Sequence, residues 1–301
     1  MQVCKNVLRL VYRFLFKTIH LYRLPFSAIV KVASCHIKEI LRVDCCLEQK
    51  TLRRFFDILI NINGICRDNA QNQYLIRIPP TTRFICRKYP SSDVDVIAQI
   101  WQQRHFQGVV ELLRKRKIGR ESPIKIIDAG SYAGYSVIYF KRKFPHSKII
   151  ALEPEASNFS LLERNVTMNN VNDVILIRGG LWRKETDLEI GRDNRDRREW
   201  SYYVKEAHHV TGLKGYSITH LLAQYGWDNL DLLKIDIEGG ERYIFEDTYR
   251  SKDILAKVKF IAMEIHDEFD IRKRIYHILK ESNYDVFESG ELTIGENKNR
   301  F

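Results

Sequence analysis

The sequence has no Cys-x-x-Cys pair and no Cys/His spacing of the kind that holds zinc, which removes the common structural metal modules. Cysteine is also missing from everything after Cys86. All six residues, Cys4, Cys35, Cys45, Cys46, Cys66 and Cys86, precede the glycine pair Gly130 and Gly134. A chain of 301 residues has ample material for a core without staples. Adjacent Cys45-Cys46 is poor geometry for a mutual bridge, so the six are read as reduced thiols of a cytoplasmic protein. No apolar run near the start reaches about 18 residues, because charges interrupt each one, so a transmembrane span is not expected. A signal peptide is not expected either, since no unbroken apolar core leads to a small-residue cleavage site. Internal repeats and low-complexity segments are absent. So is the Gly-x-Gly-x-x-Gly cradle of dinucleotide sites.

Acidic residues are scarce in one region only. Up to Arg120 there are 22 Lys+Arg against 8 Asp+Glu; beyond it there are 27 against 30. The formal net charge of +11 therefore belongs to the N-terminal part. Lys5, Arg9, Arg13 and Lys17 recur every four residues, with Leu8, Val11, Leu15 and Ile19 on other faces. A basic amphipathic helix of this kind can lie on an anionic membrane surface, or pack on the main domain with its cations in water.

Further along, Tyr74–Ile78 and Arg83–Arg87 are strand-like runs separated by Pro79-Pro80-Thr81-Thr82, which predicts a small hairpin. Ser91 or Ser92 can cap a helix through Val94, Ile97, Ile100 and Trp101 toward Leu112-Leu113, closed by Arg114 to Lys117. After Pro123 strands and helices alternate. The predicted strands are Ile124–Ala129, Lys148–Leu152, Val174–Ile177, Leu230–Ile235 and Val258–Ile265, with helices between most of them and Ser217 capping one. An irregular insert follows the third strand. Tyr284–Phe287 and Leu292–Ile294 form a closing antiparallel pair. Apolar strands alternating with amphipathic helices predict an α/β fold with a doubly wound, mostly parallel sheet covered on both faces. Ligands in such a fold bind at the C-terminal strand ends, near the switch point of the strand order.

The stretch Ile126 to Ser136 organises the chain. An apolar run ends in Asp128, passes Gly130 and Gly134, and becomes helical. Glycine permits close backbone approach, and the following helix turns its N–H groups toward a ligand. Asp128, Glu153, Asp236 and Glu264 all fall at or beside predicted strand ends. Glu153, at the end of the second strand, is placed to accept both hydroxyls of a ribose. Both NAD and S-adenosyl-L-methionine carry one. The missing pyrophosphate cradle, and a carboxylate at position 128 suited to a cationic group, favour S-adenosyl-L-methionine. Asp236 and Glu238, two apart at a strand terminus, lie on one side of an extended chain. They could bind a cation, orient a hydroxyl or accept its proton, or one of Glu238 and Glu241 could cap the next helix.

Taken together, Asp128-Ala-Gly-Ser-Tyr-Ala-Gly134, Leu152-Glu153-Pro154, Lys234-Ile-Asp-Ile-Glu-Gly-Gly-Glu241 and Glu264-Ile265-His266 resemble the FkbM family of S-adenosylmethionine-dependent methyltransferases. The likeness runs in order from about Ile124 to His266, and the helix from Ser91 to Trp101 looks like that family's lead-in helix. It implies a Rossmann-like class I methyltransferase domain over residues 121–301, preceded by a basic helical extension with a small hairpin over residues 1–120. It also implies methyl transfer to a hydroxyl, often on a glycan sugar or a secondary metabolite. The family usually has Gly-Ala-Asn where this chain has Gly130-Ser131-Tyr132, and an Asp is common where Thr219 stands.

The expected cofactor residues are Asp128, Gly130, Ser131, Gly134, Ser136, Glu153 and Pro154. Asp236 is expected to orient or deprotonate the acceptor, with His266 as a second base, and no metal is assigned. Lys234 reads as an ion-pair partner. Trp200, Tyr202, Tyr203, His208 and His209 in the insert could floor a sugar pocket or pack the insert onto the sheet. The expected partner is a hydroxyl-bearing small molecule or glycan, with peripheral contact to an anionic membrane through the basic N-terminus and nucleic acid disfavoured. The competing readings are an NAD-dependent oxidoreductase and an inactive methyltransferase fold that binds membrane or nucleic acid.

Overall fold

The computed structural model describes residues 17–192, 202–267 and 270–300. Most of the basic stretch from Lys5 to Lys17, and Trp200, lie outside them. Two compact units divide the chain, Met1–Gln102 and Gln103–Phe301. No helix among the described residues is long and apolar enough to cross a membrane.

In the first unit, Ala28, Val32 and Cys35 form one buried stripe on α1 (Phe26–Ile40). Leu52, Phe55, Phe56 and Leu59 form another on α2 (Leu47–Asn61), so the two helices pack on each other. Cys35 and Cys45 are joined by a disulfide, which corrects the expectation that all six cysteines are reduced thiols. The turn between the helices brings their Cα atoms to 5.7 Å, a separation that sequence spacing could not reveal. The expected hairpin forms as β2 (Tyr74–Ile78) and β3 (Thr82–Cys86), with Ile76 opposite Phe84. It gains a third antiparallel strand, β1 (Ile65–Asp68), too short to show an alternation of its own.

The expected continuous helix from Ser92 to Lys117 is broken. α3 (Asp93–Ile97) passes into a π turn at Ala98–Gln102, and α4 (Gln107–Lys115) starts afresh. Arg104 adopts φ +59°, which ends the i→i−4 ladder, and its carbonyl accepts the Gln107 N–H at the restart.

The second unit is built on a seven-stranded sheet. In chain order its strands are β4 (Lys125–Ala129), β5 (Lys148–Leu152), β6 (Val174–Ile177), β11 (Leu230–Ile235), β12 (Val258–Glu264), β13 (Tyr284–Ser289) and β14 (Leu292–Asn297). Across the sheet they run β13-β14-β12-β11-β4-β5-β6, all parallel except β14. The doubly wound, mostly parallel sheet with its antiparallel closing pair is therefore as the sequence predicts. From β4 the chain steps outward to β5 and β6, then returns to place β11 on the other flank of β4. That reversal is the switch point, and the crevice outside the strand ends opens there.

Every residue of β11 is buried, and Ile127, Ile150, Leu233 and Ile261 share one core, as a strand covered on both faces requires. α5 (Tyr135–Lys143) and α6 (Ala156–Met168) follow β4 and β5, and α7 (Ile218–Gln224) precedes β11. The Ser217 hydroxyl caps α7 by accepting the His220 N–H, as expected. Beyond β11 come α8 (Glu241–Ile244), α9 (Thr248–Leu255) and α10 (Arg272–Glu281), the last burying Ile275, Ile278 and Leu279.

The insert after β6 is not irregular. β7 (Gly179–Leu181), β8 (Thr186–Arg192), β9 (Tyr202–Glu206) and β10 (Lys214–Tyr216) form a second sheet in the order β7-β10-β8-β9. Its core is Trp182, Leu188, Val204 and Leu213, with Tyr243 packed against it. A Gly-Gly-Leu strand carries no alternation, so only pairing makes it one.

Candidate active site

Four strand ends build the site. β4 ends at Ala129, and the chain turns at Gly130 with φ +77°. A Cβ at Gly130 would lie 1.8 Å from the backbone oxygen of Asp236, so the glycine is required by the loop leaving β11. Gly134, at φ +83°, is the N-cap of α5, and a Cβ there would meet Leu162 Cδ1 at 2.7 Å. Both glycines thus answer to packing of the chain itself.

Between them the turn is tied down. The Gly130 and Ser131 N–H groups donate to the Leu152 carbonyl, and Ser131 Oγ donates to the Asp128 carbonyl at 2.8 Å. Tyr132 adopts φ +50°, where its N–H donates to Glu153 Oε2 at 2.9 Å. Asparagine tolerates this left-handed conformation far better than tyrosine does, which explains the Asn of the related pattern.

Glu153 follows β5 and is buried. Its carboxylate accepts the N–H groups of Tyr132 and Glu155 and the Asn158 side-chain amide. Burial nevertheless pushes the Glu153 carboxyl up to about 7. Pro154, the next residue, is half-buried.

Asp128 is fully buried, and its carboxylate is already engaged. Lys234 Nζ lies 3.1 Å from Oδ1, and Ser136 Oγ donates to Oδ2 at 2.6 Å. Lys234 stands beside Asp128 in the register of β11 and β4. Its ammonium also donates to the Ala129 and Gly130 carbonyls and lies 3.7 Å from Asp236 Oδ2. Burial alone would lower an ammonium. The Asp128 and Asp236 charges outweigh it and hold Lys234 above its usual value. Asp128, Ser131, Ser136 and Lys234 therefore brace the turn, and Lys234 is the ion-pair partner the sequence suggested.

Beyond β11, Asp236 donates its N–H to the Ala129 carbonyl and keeps a third of its side chain exposed. Glu238 and Gly239 follow at φ +53° and +87°. His266, two residues past β12, places Nδ1 3.1 Å from Glu241 Oε1 and Nε2 3.5 Å from Glu238 Oε2. Asp236, Glu238 and His266 each offer one donor atom, and these lie within 4.8 Å of one another. Burial would lower the His266 imidazole, but the Glu241 hydrogen bond and charge prevail and raise it to about 10. Glu264, the last residue of β12, is pushed up to about 8 by burial and then by the Asp236 charge. Glu241 Oε1 also accepts the Ile237 N–H, a bond within the loop before α8; the helix itself has no side-chain cap, so neither Glu238 nor Glu241 serves as the expected one.

The sequence did not single out two contributors. His105 Nε2 stands 4.0 Å from Glu264 Oε2, with burial lowering its imidazole. Nothing local marks a histidine between two helices, 159 residues from its partner. Glu241 reads in the sequence only as a helix cap; its hold on His266 joins the start of α8 to the segment after β12. In the insert, Tyr202 and Tyr203 are half-buried on β9, whereas His208 and His209 are exposed.

The sequence model of the methyltransferase FkbM domain matches residues 128–286, more than half of the chain. Methyltransferase 1 of Beauveria bassiana is 40% identical over 65 residues, 22% of this chain and 26% of that protein. Methyltransferase sdnD of Sordaria araneosa is 24% identical over 192 residues, 54% of this chain and 73% of that protein. The chain thus spans about a quarter of the first relative and about three quarters of the second. Among solved structures, the N-terminal domain of human METTL16 in complex with SAH aligns at 11% identity and a TM-score of 0.45, covering 84% of this chain and 82% of that one.

Proposed function

The chain belongs to the FkbM methyltransferase family, and from that premise we propose that it methylates a hydroxyl group of a sugar, glycan or other small molecule. The cofactor is S-adenosylmethionine, which supplies a methyl carbon already made electrophilic by a sulfonium. Membership sets aside the nicotinamide alternative, in keeping with the absent dinucleotide cradle.

The residues present fit that cofactor. Glu153 is a buried carboxylate past the second strand of the sheet, where it can accept the hydroxyls of a ribose. The half-exposed carboxylates of Asp236 and Glu238 give the crevice a negative wall, suited to a cationic ligand. Asp128 supports this only indirectly, through Lys234 and the turn it braces. On this reading Gly130, Gly134, Ser131 and Ser136 shape the cofactor's seat, and Pro154 lines it beside Glu153.

The acceptor side is carried by one observation. Asp236 stands at the switch point with an exposed edge, between buried Lys234 and the Glu238–His266 pair. An acceptor hydroxyl held by Asp236 would be oriented for in-line attack, which is where most of the rate enhancement of such a transfer can come from. Asp236 would take or share the hydroxyl proton, since a His266 raised to about 10 beside Glu241 already carries its own near neutral pH.

Asp236→Asn keeps the shape of the side chain and removes its charge. S-adenosylhomocysteine binding, measured by calorimetry, should survive within a few-fold, while methyl transfer to a panel of sugar and small-molecule hydroxyls should fall about a hundredfold or more. Undiminished transfer would remove Asp236 from the mechanism. Absence of transfer by the unaltered protein to any hydroxyl would overturn the acceptor class.

A further inference from the structure

We propose that Asp236, Glu238 and His266 form a binding site for a divalent cation of the magnesium–manganese class. The three converge from two neighbouring strand ends. β11 and β12 pair in parallel with Ile235 opposite Met263, so the loops leaving them emerge side by side. The left-handed backbone at Glu238 and Gly239 turns the first loop back on itself, and Glu238 Oε2 comes to 3.5 Å from His266 Nε2. The three donor atoms lie within 4.8 Å of one another. Around an ion with bonds of about 2.1 Å, opposite ligands are about 4.2 Å apart, so side-chain movements of under about 1 Å would close the set.

The surroundings of His266 point the same way. Glu241 is fully buried and takes the Nδ1 side of the ring, leaving Nε2 toward Glu238. A carboxylate behind the imidazole fixes which nitrogen faces a metal and raises its basicity. Glu241 Oε2 has no hydrogen-bond partner among the described residues, although it is buried. A bare carboxylate in that position is costly unless positive charge stands nearby. His266 supplies that charge from 3.1 Å, and an ion bound at its Nε2 would supply it in the proton's place; Lys234 is already engaged by Asp128 at 3.1 Å and Asp236 at 3.7 Å. Asp236, Glu238, Glu241 and Glu264 thus crowd one strand-end cluster whose lysine is already engaged. Two carboxylates and one imidazole, partly open to solvent, suit a hard divalent ion with coordination positions to spare.

This site rests on the methyl-transfer reading for its purpose, which is to hold the acceptor hydroxyl beside the cofactor; Asp236 would then act through the ion. Its existence can be tested without turnover. The full-length protein, stripped with chelator, is titrated with Mn2+ and free ion is followed by electron paramagnetic resonance, with and without S-adenosylhomocysteine. One saturable Mn2+ site per chain is expected. Glu238→Gln and His266→Gln should each weaken it about tenfold or more, and Glu241→Gln by a similar factor through the ring. S-adenosylhomocysteine binding by the same variants reports that they are folded. No saturable Mn2+ site, or one undiminished in all three variants, overturns the proposal. Cofactor binding without Mn2+ binding leaves the methyltransferase reading standing and removes the cation. Mn2+ binding without cofactor binding does the reverse.

Discussion

Lys234 shows how one residue can be conspicuous in a sequence and quiet in chemistry. A lysine inside an otherwise apolar strand would be a liability unless its charge were answered, and Asp128 answers it in the adjoining register position. Removing the lysine leaves a carboxylate buried with only Ser136 for company. Lys234→Met should therefore lower stability by about 3–5 kcal/mol in urea unfolding, and adding Asp128→Asn should restore much of the loss. Glu153 makes a pH-dependent prediction. Its folded pKa of about 7 lies above the usual carboxylate range. Protonated Glu153 therefore favours the folded state below that usual range, and the benefit is lost as pH rises through about 7. Relative to Glu153→Gln, the unliganded protein should lose up to about 3 kcal/mol of stability between pH 5 and pH 8. Cofactor affinity should move the opposite way. Ribose hydroxyls donate to the ionised form, so S-adenosylhomocysteine should bind more tightly as pH rises from 6 to 8, and the Gln variant should show a flat profile in calorimetry. A flat profile in the unaltered protein would remove Glu153 from the ribose site.

At the scale of the element, the turn after β4 is decided by neighbours that are remote in sequence. Gly130 has the Asp236 carbonyl where a Cβ would be, and backbone cannot move aside. Gly134 faces the flexible end of Leu162. Gly130→Ala should accordingly cost about 4 kcal/mol or more, and Gly134→Ala about 1–2 kcal/mol, as judged by denaturant midpoints. Equal costs would show that backbone conformation alone sets both positions. The order of these elements was legible because β4, β5, β11 and β12 are short apolar runs bounded by polar turns, and the amphipathic helices near them have a regular period. The four strands of the insert were not. β7 and β10 are three residues long and hold glycines, so neither shows an alternation, and only the ladder between them creates a sheet. The break at Arg104 was hidden for a related reason. Its positive φ reflects tertiary context, while the side-chain pattern around it continues to look helical.

At the scale of the whole molecule, the basic excess and the FkbM match over residues 128–286 belong to different parts of the chain. The unit Met1–Gln102 holds the three-stranded sheet and the Cys35–Cys45 bridge; the unit Gln103–Phe301 holds the strand ends with Glu153, Asp236 and His266. The bridge closes a short loop between α1 and α2 and restrains that segment in the unfolded chain. Replacing Cys35 and Cys45 by Ser should lower the stability of the first unit by about 2–3 kcal/mol, measured by denaturation with and without reductant. If the doubly substituted protein and the oxidised one unfold alike, the bridge does not form in solution.

What the sequence determined by itself was local in origin. Runs of apolar residues specify strands, periodic ones specify helices, and their alternation leaves a parallel sheet as the way to bury both faces. The carboxylates at the strand ends followed from that, since a strand's last residue is visible in one dimension. What only the tertiary structure decided was which of these groups meet. Asp128 turned inward to Lys234, Glu241 reached His266 from behind, and His105 arrived beside Glu264. Charges interact over a few ångströms whatever their separation along the chain, so the partners of a buried carboxylate become readable only once the strands are laid side by side.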